Sequence, residues 1–155
     1  MSDLRPDDFA LRYQWRAGSM PPPHHYSVRV EIEADGSGTV QMTPDYSGAD
    51  VPTWTLPFHL DAEAIDDLYT TLGLEGLFSI DWQEPPGPPR VGGSLWSVTA
   101  TAGGQQATVK NLMVSPEGER PKAIREVIWE AVPKGLRAEL VIRRNAYRAT
   151  YRLRR

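Results

Sequence analysis

The chain has 155 residues, 40% of them hydrophobic and 24% charged, with a formal net charge of −3; these values predict one globular domain spanning 1–155. The absence of cysteine removes disulfides, thiolate zinc sites, iron–sulfur clusters and a cysteine nucleophile. The polar, acidic N-terminus is unlike a signal peptide, and no apolar run approaches the roughly 18 residues that span a bilayer, so a cytoplasmic protein is expected.

Phe9, Leu11, Tyr13 and Trp15 alternate with Ala10, Arg12, Gln14 and Arg16, the period-two pattern of a half-buried strand. The segment Gly18-Ser-Met-Pro-Pro-Pro-His-His-Tyr26 follows. Its consecutive prolines fix φ and remove donors, which predicts an extended polyproline-II connector with an aromatic edge. Tyr26, Val28, Val30 and Ile32 then alternate with polar residues, and Asp35-Gly36 signals a hairpin whose return strand carries Val40 and Met42 up to Pro44. Trp54, Leu56, Phe58 and Leu60 mark a further strand, confined by Pro57 to an edge or bulge.

A helix is predicted from Asp61, the N-cap, with Leu60 and Ile65 as a hydrophobic staple. Ile65, Leu68, Tyr69 and Leu72 recur at helical spacing, and Gly73 is expected to supply the left-handed C-terminal residue. Glu84-Pro-Pro-Gly-Pro-Pro-Arg-Val-Gly-Gly93 is a second stiff loop. Trp96, Val98 and Ala100 lead to Gly103-Gly104, from which Ala107 and Val109 return as a second hairpin. Pro121 opens a helix striped by Ile124, Val127, Ile128 and Ala131 and closed by Pro133. In the tail, Leu136, Leu140, Arg144, Tyr147 and Tyr151 suit a helix, whereas Tyr147, Ala149, Tyr151 and Leu153 suit a strand. A helix to about Asn145 is favoured, with the remainder open. The order β-β-β-β-α-β-β-α plus tail predicts an α+β fold: an antiparallel sheet built from two hairpins, with two to three helices packed on one face.

Catalytic chemistry finds little support. Adjacent His24 and His25 on an extended chain point to opposite sides and do not share an ion easily, and no His pair has ligand spacing, so no metal is expected. Asp61, Glu63, Asp66 and Asp67 are accounted for by the helix N-terminus, whose dipole favours acidic residues. Gly92-Gly93-Ser94 leads into a strand rather than a helix, the wrong geometry for a phosphate cradle, and reads instead as a bulge or a close backbone approach. No Walker motif, dinucleotide fingerprint or nucleophile-elbow serine is present, so neither a cofactor nor a catalytic residue is assigned.

Binding residues are easier to nominate. Trp15, Trp54 and Trp96 occupy inward strand positions and read as core, whereas Tyr26 and Trp82 flank the two proline loops. Pro22, His24, His25, Tyr26, Trp82 and Arg90 are the expected contacts of one stiff patch, since rigid loops lose little entropy on binding. Charge is polarised along the chain: residues 1–77 hold four arginines against 13 acids, and residues 78–155 hold 13 basic residues against seven acids. Arg144, Tyr147 and Arg148 head an Arg/Tyr segment that also includes Arg143, Tyr151, Arg152, Arg154 and Arg155. It suits either phosphate and base contacts or compensation of the acidic half, within the chain or across a dimer. Three lysines against 14 arginines, together with 14 prolines, match the coding bias of a GC-rich bacterium.

The element order resembles that of the emfourin-type protease inhibitors of bacteria, over roughly Tyr26 to Val132. The matching pieces are Val28–Met42, Asp61–Gly73 and Gly92–Val109. The resemblance implies a fold that acts through loops without catalysis. The expectation is therefore a non-enzymatic interaction module, binding another protein or a second copy of itself through its proline loops, with nucleic acid at the C-terminal arginines as the alternative.

Overall fold

Alternation in the sequence becomes three apolar rungs that cross a six-stranded antiparallel sheet. The computed structural model describes residues 4–88 and 93–153. The strands are β1 (Ala10–Arg16), β2 (Ser27–Ile32), β3 (Ser37–Thr43), β4 (Trp54–His59), β5 (Leu95–Ala102) and β6 (Gln105–Lys110), in the spatial order β4-β3-β2-β1-β5-β6. Register aligns Phe58, Gly38, Ile32, Leu11, Ala100 and Ala107 in one rung, and Leu56, Val40, Val30, Tyr13, Val98 and Val109 in the next. Trp54, Met42, Val28, Trp15 and Trp96 form the third. Because side chains alternate between faces, the same register puts Arg12, Gln14, Arg16, Arg29, Gln41, Ser97 and Lys110 on the opposite face, where none is buried. Pro57 sits on β4, an edge strand, where a missing donor costs no ladder bond.

Three helices cover the apolar face: α1 (Ala62–Leu74), α2 (Lys122–Ala131) and α3 (Lys134–Leu153). Asp61 caps α1 as its pattern predicts, its carboxylate accepting from the Ala64 N–H at 2.8 Å. Ile65, Leu68 and Leu72 from α1, Ile124 and Ile128 from α2 and Leu140 from α3 join the sheet residues in one core. This is the predicted α+β fold, with all three helices on one face.

Three local expectations change. Gly73 stays helical, and the left-handed residue is Gly76 (φ +86°): the Leu77 N–H reaches the Leu72 carbonyl and the Gly76 N–H reaches Gly73, a Schellman closure three residues later than the apolar stripe suggested. The triple proline is a turn rather than a polyproline-II rod, closed by the His24 N–H on the Pro21 carbonyl at 2.9 Å around a cis Pro22–Pro23 peptide. Proline fixes φ but leaves ψ free, so a run of prolines can close into a hydrogen-bonded turn. Finally, α3 continues past Asn145 to Leu153, because Arg144, Tyr147, Arg148 and Tyr151 fall on one half-buried helical stripe. Among the described residues, no helix is long and apolar enough to cross a membrane.

Candidate functional site

The C-terminal helix holds the first proline loop. Arg144 places its guanidinium carbon 3.8 Å from the centre of the Tyr26 ring and donates to the His24 carbonyl at 3.4 Å. Arg148 Nη2 lies 3.3 Å from His24 Nδ1, and since arginine can only donate, Nδ1 is the acceptor. Tyr147 donates its hydroxyl to the buried Asp45 carboxylate at 3.0 Å. Asp45 is followed by Tyr46, whose ring stacks on His25 at 3.9 Å and whose hydroxyl donates to the Met20 carbonyl at 2.7 Å. Six nominated residues (His24, His25, Tyr26, Arg144, Tyr147 and Arg148) thus form one cluster, with Pro22 exposed at its tip.

In this cluster the charge polarity of the sequence is met by carbonyls and rings. Among the described residues, the ion pairs are Arg5–Asp66, Lys110–Glu84 and, within α3, Arg143–Glu139; none joins the basic half to the acidic half. Burial pulls the Arg144 pKa down, Tyr26 opposes that shift and Arg148 adds to it, as expected of a guanidinium short of counter-charge.

The other nominated positions fall elsewhere. Trp82 is half-buried against the core and donates its indole N–H to the Gly76 carbonyl at 3.0 Å, beside the end of α1. Tyr26 packs on Trp15, with ring centres 4.6 Å apart. Arg90 lies outside the described residues, as do Val91, Gly92, Arg154 and Arg155. The two proline-loop segments nevertheless touch at their glycine ends. A Cβ on Gly18 would stand 2.5 Å from the Gly93 carbonyl oxygen, a close backbone approach that only glycine allows.

The outer face of the sheet carries a groove of about 960 Å³. Its floor is the outward rung Gln41, Arg29, Gln14, Ser97 and Lys110, beside the rung Thr43, Ser27, Arg16 and Leu95. Pro85, Gly87 and Pro88 of the second loop line it, as do Asn111 and Met113, while Ser47 and Thr53 lie toward the β3–β4 end. Asn111 is fixed by donating to the Ser94 carbonyl at 3.0 Å and accepting from the Trp96 N–H at 3.3 Å. Arg16 and Arg29 are exposed and make no ion pair among the described residues, whereas the groove's acid, Glu84, is held by Lys110 at 3.4 Å. The arrangement is a cationic trough with a proline-stiffened wall. Sequence reasoning missed it because outward strand residues are polar on any solvated sheet. The available signal was the presence of Arg12, Arg16 and Arg29 on the outward positions of adjacent strands.

His59 lies near enough to Asp35 to help hold that carboxyl below its ordinary value, after the Ser37 hydrogen bonds that contribute most. His24 and His25 serve the loop, and His59 is exposed at the end of β4. Asp61 caps α1, and Asp66 accepts from Arg5 at 2.6 Å. Among the described residues, no group of three or more His, Asp or Glu side chains is placed to hold a metal ion. No protein-family model matches the chain, and none of the curated proteins does.

Proposed function

We propose that the protein is a non-enzymatic interaction module whose outer-face groove takes an extended, acidic segment of a partner protein. The observation that carries this reading is that Arg16 and Arg29, on the floor of a groove of about 960 Å³, make no ion pair among the described residues. Exposed arginines in a concave surface with little negative charge of their own attract acidic side chains and steer their approach. The proline loop supports the reading, because a wall that is already stiff loses little entropy when a segment lies against it. Expectation therefore shifts from the first proline loop, which α3 holds down, to the second loop and the sheet beneath it. The alternative, nucleic acid at the C-terminal arginines, loses Arg144, Tyr147 and Arg148 to contacts within the protein.

Selection of displayed random peptides on the wild-type protein, counter-selected on the Arg16→Glu/Arg29→Glu double variant, tests the proposal. Recovered peptides are expected to be rich in Asp and Glu and to bind the double variant about tenfold or more weakly, the sum of two modest charge contacts at a partly exposed site. Basic or neutral peptides, or binding indifferent to the charge reversal, would contradict it. So would tighter binding of a single-stranded oligonucleotide than of any selected peptide.

A further inference from the structure

A second, smaller cleft lies on the helix side, where β1 and β2 meet α2 and α3. Its volume is about 210 Å³, and Trp15, Tyr26 and Trp129 line it with Val28 and Met42. Arg125 from α2 and Arg144 from α3 also face it. None of its lining residues is acidic. We infer that this cleft binds a small planar anion, specifically a single aromatic ring bearing a carboxylate.

Three observations converge on that chemistry. The first is unspent donor capacity: among the described residues, the Trp15 indole N–H and the Arg144 Nε are buried without an acceptor, and so is the neighbouring Arg148 Nε. Buried donors are paired in nearly all proteins, so an orphan beside a cleft marks a place for an acceptor. The second is uncompensated charge. Arg125 donates its Nε to the Tyr13 hydroxyl at 3.1 Å and stands 5.6 Å from the centre of the Trp15 ring, but it forms no ion pair among the described residues. Arg144 likewise contacts a ring and a carbonyl. Two guanidinium groups that contact aromatic rings and line one cleft, with no ion pair among the described residues, are the donors that bidentate carboxylate recognition uses.

The third observation concerns size and the character of the walls. A cavity of roughly 150 Å³ accommodates a benzene ring, so about 210 Å³ takes one ring and a small polar group but not a fused nucleoside. Trp15, Tyr26 and Trp129 supply faces and edges for such a ring, and Val28 and Met42 supply an apolar floor. A bare inorganic anion would leave that apolar surface unused. The cleft takes a different ligand from the outer-face groove and shares with it only Trp15 and Val28, on the strands β1 and β2 that divide the two.

Titration with sodium benzoate, followed by calorimetry and by the indole N–H signals in a proton–nitrogen correlation spectrum, tests the inference. Saturable binding that moves the Trp15 indole signal is expected, with benzyl alcohol and inorganic phosphate each at least tenfold weaker. Arg125→Gln should weaken benzoate at least tenfold, as loss of a charge-assisted hydrogen bond does. Arg144→Gln should do the same, but it also frees the His24 loop; the exposed Arg125 is therefore the deciding variant. Benzyl alcohol binding as tightly as benzoate, phosphate binding as tightly as benzoate, an unmoved Trp15 signal, or an Arg125→Gln protein that binds normally would each overturn it.

Discussion

Leu140 is the only fully buried side chain of α3, and replacing it with alanine should release the whole helix. The helix runs 20 residues, and most of a helix's stability within a protein comes from packing of its apolar face, so its persistence depends on docking. Leu140 is 0% exposed and belongs to the core; its removal forfeits the burial of a leucine and leaves a cavity beneath the helix. Buried Leu→Ala changes cost about 3–5 kcal/mol, and about 3 kcal/mol is expected here because a surface helix relaxes into part of the gap. The Ile142→Ala control removes a side chain that is 64% exposed and should change stability by less than about 0.5 kcal/mol. Urea denaturation gives the two stabilities, and amide exchange shows where protection fails. The prediction is that Leu140→Ala loses protection first over residues 134–153 and then, through Arg144 and Arg148, in the loop around His24. A loss below about 1 kcal/mol with α3 protection unchanged would show that the arginine and tyrosine contacts hold the helix without the leucine.

Gly18→Ala should drive the two proline-loop segments apart, because the new methyl meets the Gly93 backbone rather than a movable side chain. A cost of about 1–3 kcal/mol is expected in thermal unfolding, and an unchanged melting temperature would deny the close approach. Asp8 accepts from the Gly103 and Gly104 N–H groups at 2.6 and 2.8 Å, tying the N-terminal segment to the β5–β6 turn. Those hydrogen bonds hold its carboxyl below the ordinary value of 3.8, Gly104 contributing most. A depressed carboxylate stabilises the fold fully above its unfolded pKa and loses that contribution as pH falls through the folded one. The melting-temperature gap between wild type and Asp8→Asn should therefore be constant near neutral pH and close below about pH 3.8; a gap independent of pH would refute the tether.

Much of the fold was legible because each strand announces its buried face. Leu11, Tyr13, Val28, Val30 and Val40 alternate with polar residues, and the same residues build the rungs. Pro57 marked the edge strand and Asp61 the helix start, both through local rules that tertiary packing did not override. Closure of α1 was misplaced because Gly73 and Gly76 both suit a helix end, and only the Leu77-to-Leu72 hydrogen bond selects the second. The proline turn was hidden because residue type fixes φ and leaves ψ open. Neither the groove nor the cleft was legible, for a different reason. Arg144 and Arg148 find His24 across more than a hundred residues of chain, and Arg16 meets Ser27 and Leu95 only through strand pairing. Long-range pairing turned scattered polar residues into a groove and scattered aromatics into a cleft.

The most direct test of the interaction reading is chemical-shift mapping with the tightest acidic peptide from the selection. The account predicts that shifted amides cluster on the outer face, at Gln14, Arg16, Ser27, Arg29, Gln41 and Ser97, and vanish in the Arg16→Glu/Arg29→Glu variant. Shifts confined to α3 and the His24 loop, or an outer face that remains silent while the peptide binds, would contradict it.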